Sequence, residues 1–331
     1  MAKQYYNGGS VTECLQRTET ISKSYAAGTP LYFKAQLLQL DDFLKTGSES
    51  VTIVGLDGEE FEITRDSRND VWQCRDGFVR RISVENFYSP RSALGISYTS
   101  NGSGFDYPLA GIQAEYATYQ SNWLKSTPYQ ALQKILNSSL AKLDITNIIA
   151  FGLGSLRVGE HASRSHTQHA AVLTMASTIE KLMGRKVDCY VQDPSYNTVD
   201  AEFLNSKGIT ILEDPHGFLN TNSNTLVFSV CPNVPVKQII ADMTWPAAMI
   251  WDTVDTTEEQ REWRTEVFDD GEAYRVSPYG TDPDSSRVRE MVQHYDHLTF
   301  VDKDEQFTCL TVYTRKLPML SETGIEMSVK L

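Results

Sequence analysis

Apolar residues recur along this chain with two periods, near 3.6 and near 2, and the alternation of the two sets the expected elements. From Pro30 to Lys45, leucines and aromatics fall at helical spacing. Val51 to Ile63 alternates around Leu56-Asp57-Gly58, and Asp-Gly between such runs predicts two short strands in a hairpin. Residues 1–24 are polar and read as loose, and residues 95–110, rich in Gly, Ser, Asn and Tyr, read as a loop. Two helices follow, the second from Pro128 to Leu143.

The middle of the chain changes character. Ile145 to Phe151 is an apolar run ending in Gly152-Leu-Gly-Ser155, and a helix is expected from Ser165 to Met183, stopped by Gly184. Further strands are expected at Val187–Val191, Ile209–Leu212, Thr225–Val230 and Ala247–Trp251. A short helix at Val199–Ser206 and another after Pro235 separate them. Strand and helix alternate through short connections, the pattern of parallel βαβ units with right-handed crossovers. The strands are continuous apolar runs, as a sheet covered on both faces requires. The acidic segment 255–275 reads as a solvated surface, residues 284–296 as a helix, and Phe307–Tyr313 as a late strand added antiparallel at the sheet edge. There is no internal repeat.

The expected architecture is α/β: a Rossmann-like open, mostly parallel sheet with helices on both faces and N- and C-terminal additions. The expected division is an N-terminal extension with a helix and a hairpin (1–127), a core (128–255), and an acidic segment, helix and strand completing the domain (256–331).

Composition narrows the function classes. Hydrophobic residues make up 40% of the 331, enough for a sizeable core, and 22% are charged. The net charge of −13 argues against a nonspecific nucleic-acid binder, whose affinity comes from neutralised phosphates, and no DNA partner is expected. Five scattered cysteines without a CxxC suit a reducing compartment. The first ten residues carry no apolar run of a secretory signal, and no stretch approaches the roughly 18 apolar residues of a membrane span. The expectation is a cytoplasmic or nuclear protein with no membrane partner.

An open α/β sheet binds ligands beyond the carboxyl ends of its strands, where strand order reverses. The loops expected there are Gly152–Ser155, Gln192–Tyr196 and Cys231–Pro235. Gly152 and Gly154 let backbone approach a ligand, and the loop amides suit an anion or a developing oxyanion. The third glycine of a dinucleotide fingerprint is replaced by Arg157, which weakens a nucleotide or methyltransferase reading; a tight turn without ligand is the alternative. Ser155 reads as a nucleophile, a helix cap or a ligand contact. His161, His166 and His169 cluster, but Thr167 and Gln168 stand where a zinc-binding HExxH has its acid, so ordinary polar roles are expected, with no metal or other cofactor. Asp193 is placed for a hydroxyl or cationic group, or as a turn residue before Pro194. Tyr196 and Asp200 share a helical face, and of Asp242 and Asp252 one is expected at the cleft.

These motifs together resemble the "sensitivity to red light reduced" domain family: Gly152-Leu-Gly-Ser155, Gln168, Gln192-Asp-Pro-Ser-Tyr196, Asp200, Leu204 with Gly208, Thr225-Leu-Val-Phe, Pro232-Asn-Val-Pro235 and Trp251-Asp252. The resemblance spans residues 145–255, and its wording is similar to the filamentous-fungal branch. It implies a Rossmann-like fold and two roles. One is a regulator that binds a small ligand or partner protein without turnover. The other is an arginine-containing cyclodipeptide synthase, which joins two aminoacyl groups from aminoacyl-tRNA into a diketopiperazine. For the synthase the resemblance implies Ser155 as acyl acceptor and Tyr196 orienting the amine. Gly152, Gly154, Gln168, Asp193, Asn233 and Asp252 would contact substrate, with Asp193 or Asp252 pairing an arginine side chain. Leu156 and Arg157 stand where bacterial synthases have Pro and Asn. Arg157, Arg164, Lys181, Arg185 and Lys186 would supply a local basic patch for tRNA.

Overall fold

A computed structural model describes residues 11–64, 70–74, 94–98, 107–157, 162–257, 264–267, 273–276, 281–300, 302, 306–307 and 309–317. Its centre is a seven-stranded sheet. The parallel strands are β5 (Asn147–Phe151), β6 (Asp188–Gln192), β7 (Ile209–Ile211), β8 (Thr225–Ser229) and β9 (Ala248–Asp252). Two later strands, β12 (Tyr295–Phe300) and β13 (Leu310–Arg315), complete the order β12-β13-β9-β8-β5-β6-β7. Three antiparallel two-stranded pairs lie outside it: β1 (Ser50–Val54) with β2 (Glu60–Thr64), β3 (Asp70–Cys74) with β4 (Leu94–Tyr98), and β10 (Arg264–Val267) with β11 (Ala273–Val276).

The chain runs from β5 outward to β6 and β7, then returns to place β8 on the other side of β5. Strand order therefore reverses between β5 and β8. Phe151 lies level with Gln192 on one side and Ser229 on the other, so the loops after all three strands leave from one line.

Helices cover both faces, because strands buried on both sides need an apolar layer on each. One face packs α3 (Leu109–Lys125), α4 (Thr127–Ser139), α5 (Ala162–Met183) and α6 (Thr198–Ser206) around Ile148, Ala150, Leu226 and Phe228. The opposite face packs α2 (Lys34–Thr46), α7 (His216–Asn220), α8 (Val236–Met243) and α9 (Ser286–Gln293) around Ile149, Phe151, Val227 and Met249. Ile21 of α1 (Val11–Ala26) and the β1–β2 hairpin join that second layer. The expected α/β sheet with helices on both faces is the observed fold.

Four details differ from the sequence reading. Residues 11–26 form a helix where a loose segment was expected. β4 and the start of α3 fall inside the expected 95–110 loop. The helix expected to reach residue 296 ends at Gln293, and Tyr295 begins β12. The late strand starts at Leu310 rather than Phe307 and lies between β9 and β12, one position in from the edge.

Asp242 was a candidate for the cleft, but it is a structural acid. Its fully buried carboxylate accepts the amides of Leu31 (2.9 Å) and Tyr32 (3.2 Å) and pairs with Arg287 at 2.6 Å. Arg287 continues to the Tyr25 carbonyl at 2.8 Å and lies over the Tyr25 ring. This one carboxylate ties α8, α9 and the N-terminal segment together. Asp242→Ala leaves the half-buried Arg287 without its partner and is expected to cost about 3 kcal/mol. Urea denaturation checks this, and an unchanged midpoint would refute it.

Candidate functional site

The loop after β5 is shaped by two glycines with left-handed backbones. Gly152 has φ of 72°, and a Cβ there would meet Pro232 at 3.3 Å. The loop after β8 thus closes directly on the loop after β5, at the point where strand order reverses. Gly154 has φ of 75°, and a Cβ would lie 2.8 Å from Ser165 Oγ at the start of α5. Neither position admits a side chain without displacing its neighbour.

Carboxylates from the β6–α6 connection fill the space beneath this loop. Asp193 Oδ2 accepts the Gly154 amide at 2.8 Å, while Oδ1 accepts the Ser195 amide (2.9 Å) and hydroxyl (2.6 Å). Asp200 is fully buried. It accepts the Ser155 hydroxyl at 2.8 Å, the Leu156 amide at 2.9 Å and the Asn197 amide at 3.0 Å. The last bond belongs to a capping box, in which the Asn197 side chain receives the amides of Val199 and Asp200. Ser155 Oγ also accepts the Arg157 amide at 3.2 Å.

Tyr196 and His169 form the other wall. His169 Nδ1 lies 2.6 Å from the Ser165 carbonyl, which can only accept, so the proton sits on Nδ1. Burial lowers the His169 pKa to about 4, so the ring is neutral and Nε2 accepts from the Tyr196 hydroxyl at 2.8 Å. Burial, with the nearby carboxylates of Asp193 and Asp200, holds the Tyr196 phenol well above its ordinary pKa. It is a protonated donor locked onto an imidazole. His166, one turn earlier, is fully buried against Tyr119 and 3.5 Å from Glu115. His161 lies outside the described residues.

Gly152, Gly154, Ser155, Asp193 and Tyr196 are therefore one constellation. The remaining candidates stand elsewhere. Gln168 donates to the Gln306 carbonyl at 2.8 Å, tying α5 to the segment between β12 and β13. Asn233 is exposed on the loop after β8. Asp252 lies at the end of β9, where it accepts the Cys231 amide at 3.3 Å. Cys231 itself has φ of 44°, a left-handed conformation uncommon for a residue with a side chain.

Gln192, expected at the site without a stated role, accepts the Gly217 amide through Oε1 at 2.5 Å, fastening α7 to the end of β6. Sequence reading missed other contributors. Asp214, at the end of the β7 connection, is raised to about 6 by burial and by Asp193. Beyond β8 lies a buried charged cluster: Lys237 Nζ meets Asp284 at 2.5 Å, and its amide donates to Asp282 at 2.9 Å. Burial alone would lower the lysine, but Asp282 and Asp284 outweigh it and raise its pKa. Burial also raises Asp282 to about 7, against the pull of Lys237. The partners are 45 residues apart or more, so no local spacing announces them.

Comparison with known proteins places residues 131–314 in the SRR1 domain. No curated protein matches the chain. Among solved structures, a Burkholderia thailandensis 1,6-didemethyltoxoflavin-N1-methyltransferase is similar at 10% identity and a TM-score of 0.30, over 66% of this chain and 97% of its own. A complex of DhpI with SAH is similar at 13% identity and a TM-score of 0.28, over 63% and 94%. At those scores neither bears on ligand or reaction.

Two outcomes follow from the carboxylates. Asp200→Asn puts an amide N–H among three donors, and is expected to lower stability by about 2 kcal/mol in chemical denaturation. Stability equal to the parent would contradict the bonding described. For Asp282 the folded pKa lies above the ordinary 3.8, so the folded chain holds the proton more tightly. That stabilisation is complete below the ordinary value and is lost as pH rises through about 7. Asp282→Asn has no proton to lose and keeps the acceptor for the Lys237 amide. Its stability relative to the parent should climb between about pH 4 and pH 7 and then level. Contributions of Asp214 and His169 are common to both chains and cancel in that difference. A difference flat with pH would refute the assignment.

Proposed function

The chain belongs to the SRR1 domain family, and on that premise we propose that it is a regulatory protein that binds a small ligand or a partner protein without turnover. One observation supports this reading above the others. The amides of Gly154, Leu156 and Arg157 are already bonded to Asp193, Asp200 and Ser155 of the chain itself. An oxyanion or phosphate site needs such amides pointing at the ligand. The Ser155 hydroxyl is equally engaged: it donates to Asp200, and its oxygen receives the Arg157 amide. That carboxylate already receives three donors, and a nucleophile needs a base to take its proton. The serine loop in this reading is a fastening between two βα connections. Among the described residues no helix is long and apolar enough to cross a membrane.

The second reading is the tRNA-dependent cyclodipeptide synthase, favoured by the half-exposed Ser155 donating directly to a buried carboxylate at the strand tip. There the serine oxygen would attack the aminoacyl ester and the tRNA hydroxyl would leave. The amine of the aminoacyl-enzyme would displace a second tRNA, and closure of the ring would release the serine. Tyr196 would orient the amine, Asp193 or Asp252 would pair with an arginine side chain, and aminoacyl-tRNA would be the partner.

Mass spectrometry of a bacterial culture fed labelled arginine and expressing this chain separates the two. The expected result is no new diketopiperazine from soluble protein. A labelled product that disappears in Ser155→Ala would replace the binding reading with the synthase.

A further inference from the structure

A second site lies on another face of α5. Ser165 and His169 point toward the serine loop, but Ser163 and Thr167 line a cavity of about 210 Å³ between the end of α3, the start of α4 and the segment after β12. The cavity is smaller than the usual pocket of a drug-sized ligand and has room for one or two rings. Among the described residues that line it, three are aromatic (Tyr119, Trp123 and Phe307) and six are polar. Trp123 and Phe307 pack 5.3 Å apart, and both are buried. The Trp123 indole N–H is held by Thr174 at 2.9 Å, which sets the ring's orientation. Of the ten lining residues only Pro128 is aliphatic, so the cavity does not suit a fatty chain.

Thr167 marks the polar side. A threonine inside a helix usually bonds back to a carbonyl one turn earlier, and Thr174 and Thr178 of this same helix do so at 3.0 and 2.8 Å. Thr167 is 7% exposed, yet its hydroxyl makes no hydrogen bond among the described residues. The hydroxyl is open to the cavity, where it can both donate to and accept from a bound molecule. Asp302, whose Oδ2 accepts the Phe307 amide at 2.7 Å, adds a carboxylate to the same wall, and a carboxylate has capacity for several N–H donors.

We propose that this cavity binds a small planar heteroaromatic molecule of one or two rings carrying N–H donors. Its face stacks on the aromatic wall. Its ring nitrogens and N–H groups meet Thr167 and Asp302. The proposal does not depend on whether Ser155 supports turnover, because the two sites share α5 but no lining side chain.

Titration of the full chain with 2-aminopurine, whose emission falls on stacking, tests the proposal. Saturable quenching is expected. Thr167→Val preserves shape, removes the hydroxyl, and should weaken binding about 5-fold, the worth of one hydrogen bond. Ser163→Phe fills the cavity and should abolish the signal. Absence of saturable quenching up to about 1 mM, the range of the weakest specific binding, would overturn the proposal. So would saturation that both variants leave unchanged, which would mean stacking elsewhere on the protein. Should Ser163→Phe fail to fold, the near-isosteric Thr167→Val decides the question alone.

Discussion

The Asp200 carboxylate faces no solvent, so its charge has to be met by the chain. It is met by three donors from two places: Ser155 and Leu156 after β5, and Asn197 at the head of α6. Both connections leave the sheet toward the same face, and this carboxylate is the point at which they join. The shape of the serine loop, the cap of α6 and the closeness of Gly154 to α5 all follow from it. Asp193, earlier in the same connection after β6, repeats the device by holding the Gly154 amide.

In many open α/β sheets the turn after the first strand is an anion site, because glycines expose amides and the helix dipole adds positive potential. This chain keeps the glycines and the turn but places its own carboxylates where an anion would go. The substitution explains how a loop can resemble a nucleotide or acyl site and still be complete without a ligand. It also explains why Gly152 and Gly154 are required here: their left-handed backbones and close neighbours are packing constraints in their own right.

The strands of the parallel core were legible because a sheet covered on both faces leaves its strands as unbroken apolar runs, and β5, β6, β8 and β9 fall within a residue or two of the runs in the sequence. β12 was not, because Asp296 to Thr299 are all exposed and only Tyr295 and Phe300 are buried, which gives no alternation to read. The first helix presents few apolar residues, with Ile21 buried, so its pattern is weak. In the site, Asp193, Ser155 and the glycines were visible as motifs. Asp200 and His169 were visible too, but not their pairing with Ser155 and Tyr196, which the fold makes and spacing does not. The cavity draws on three separate stretches between Tyr119 and Phe307, and no reading of neighbours along the chain assembles it.

Helix α5 lies between the serine loop and the cavity. Over 22 residues it buries Ser165 and His169 against the serine loop, Thr167 against the cavity, and Gln168 between them. The Gln168 amide holds the Gln306 carbonyl, and Gln306 lines the cavity. Polar side chains are expensive at so buried a position unless each has a defined partner. Two of them have side-chain partners inside the chain: His169, bonded to the Ser165 carbonyl and to Tyr196, and Gln168, bonded to the Gln306 carbonyl. In the run Ser-His-Thr-Gln-His, the ring nitrogens of the fully buried His166 make no hydrogen bond among the described residues, and Thr167 faces the cavity. Of these two side chains, Thr167 is the one on the cavity wall.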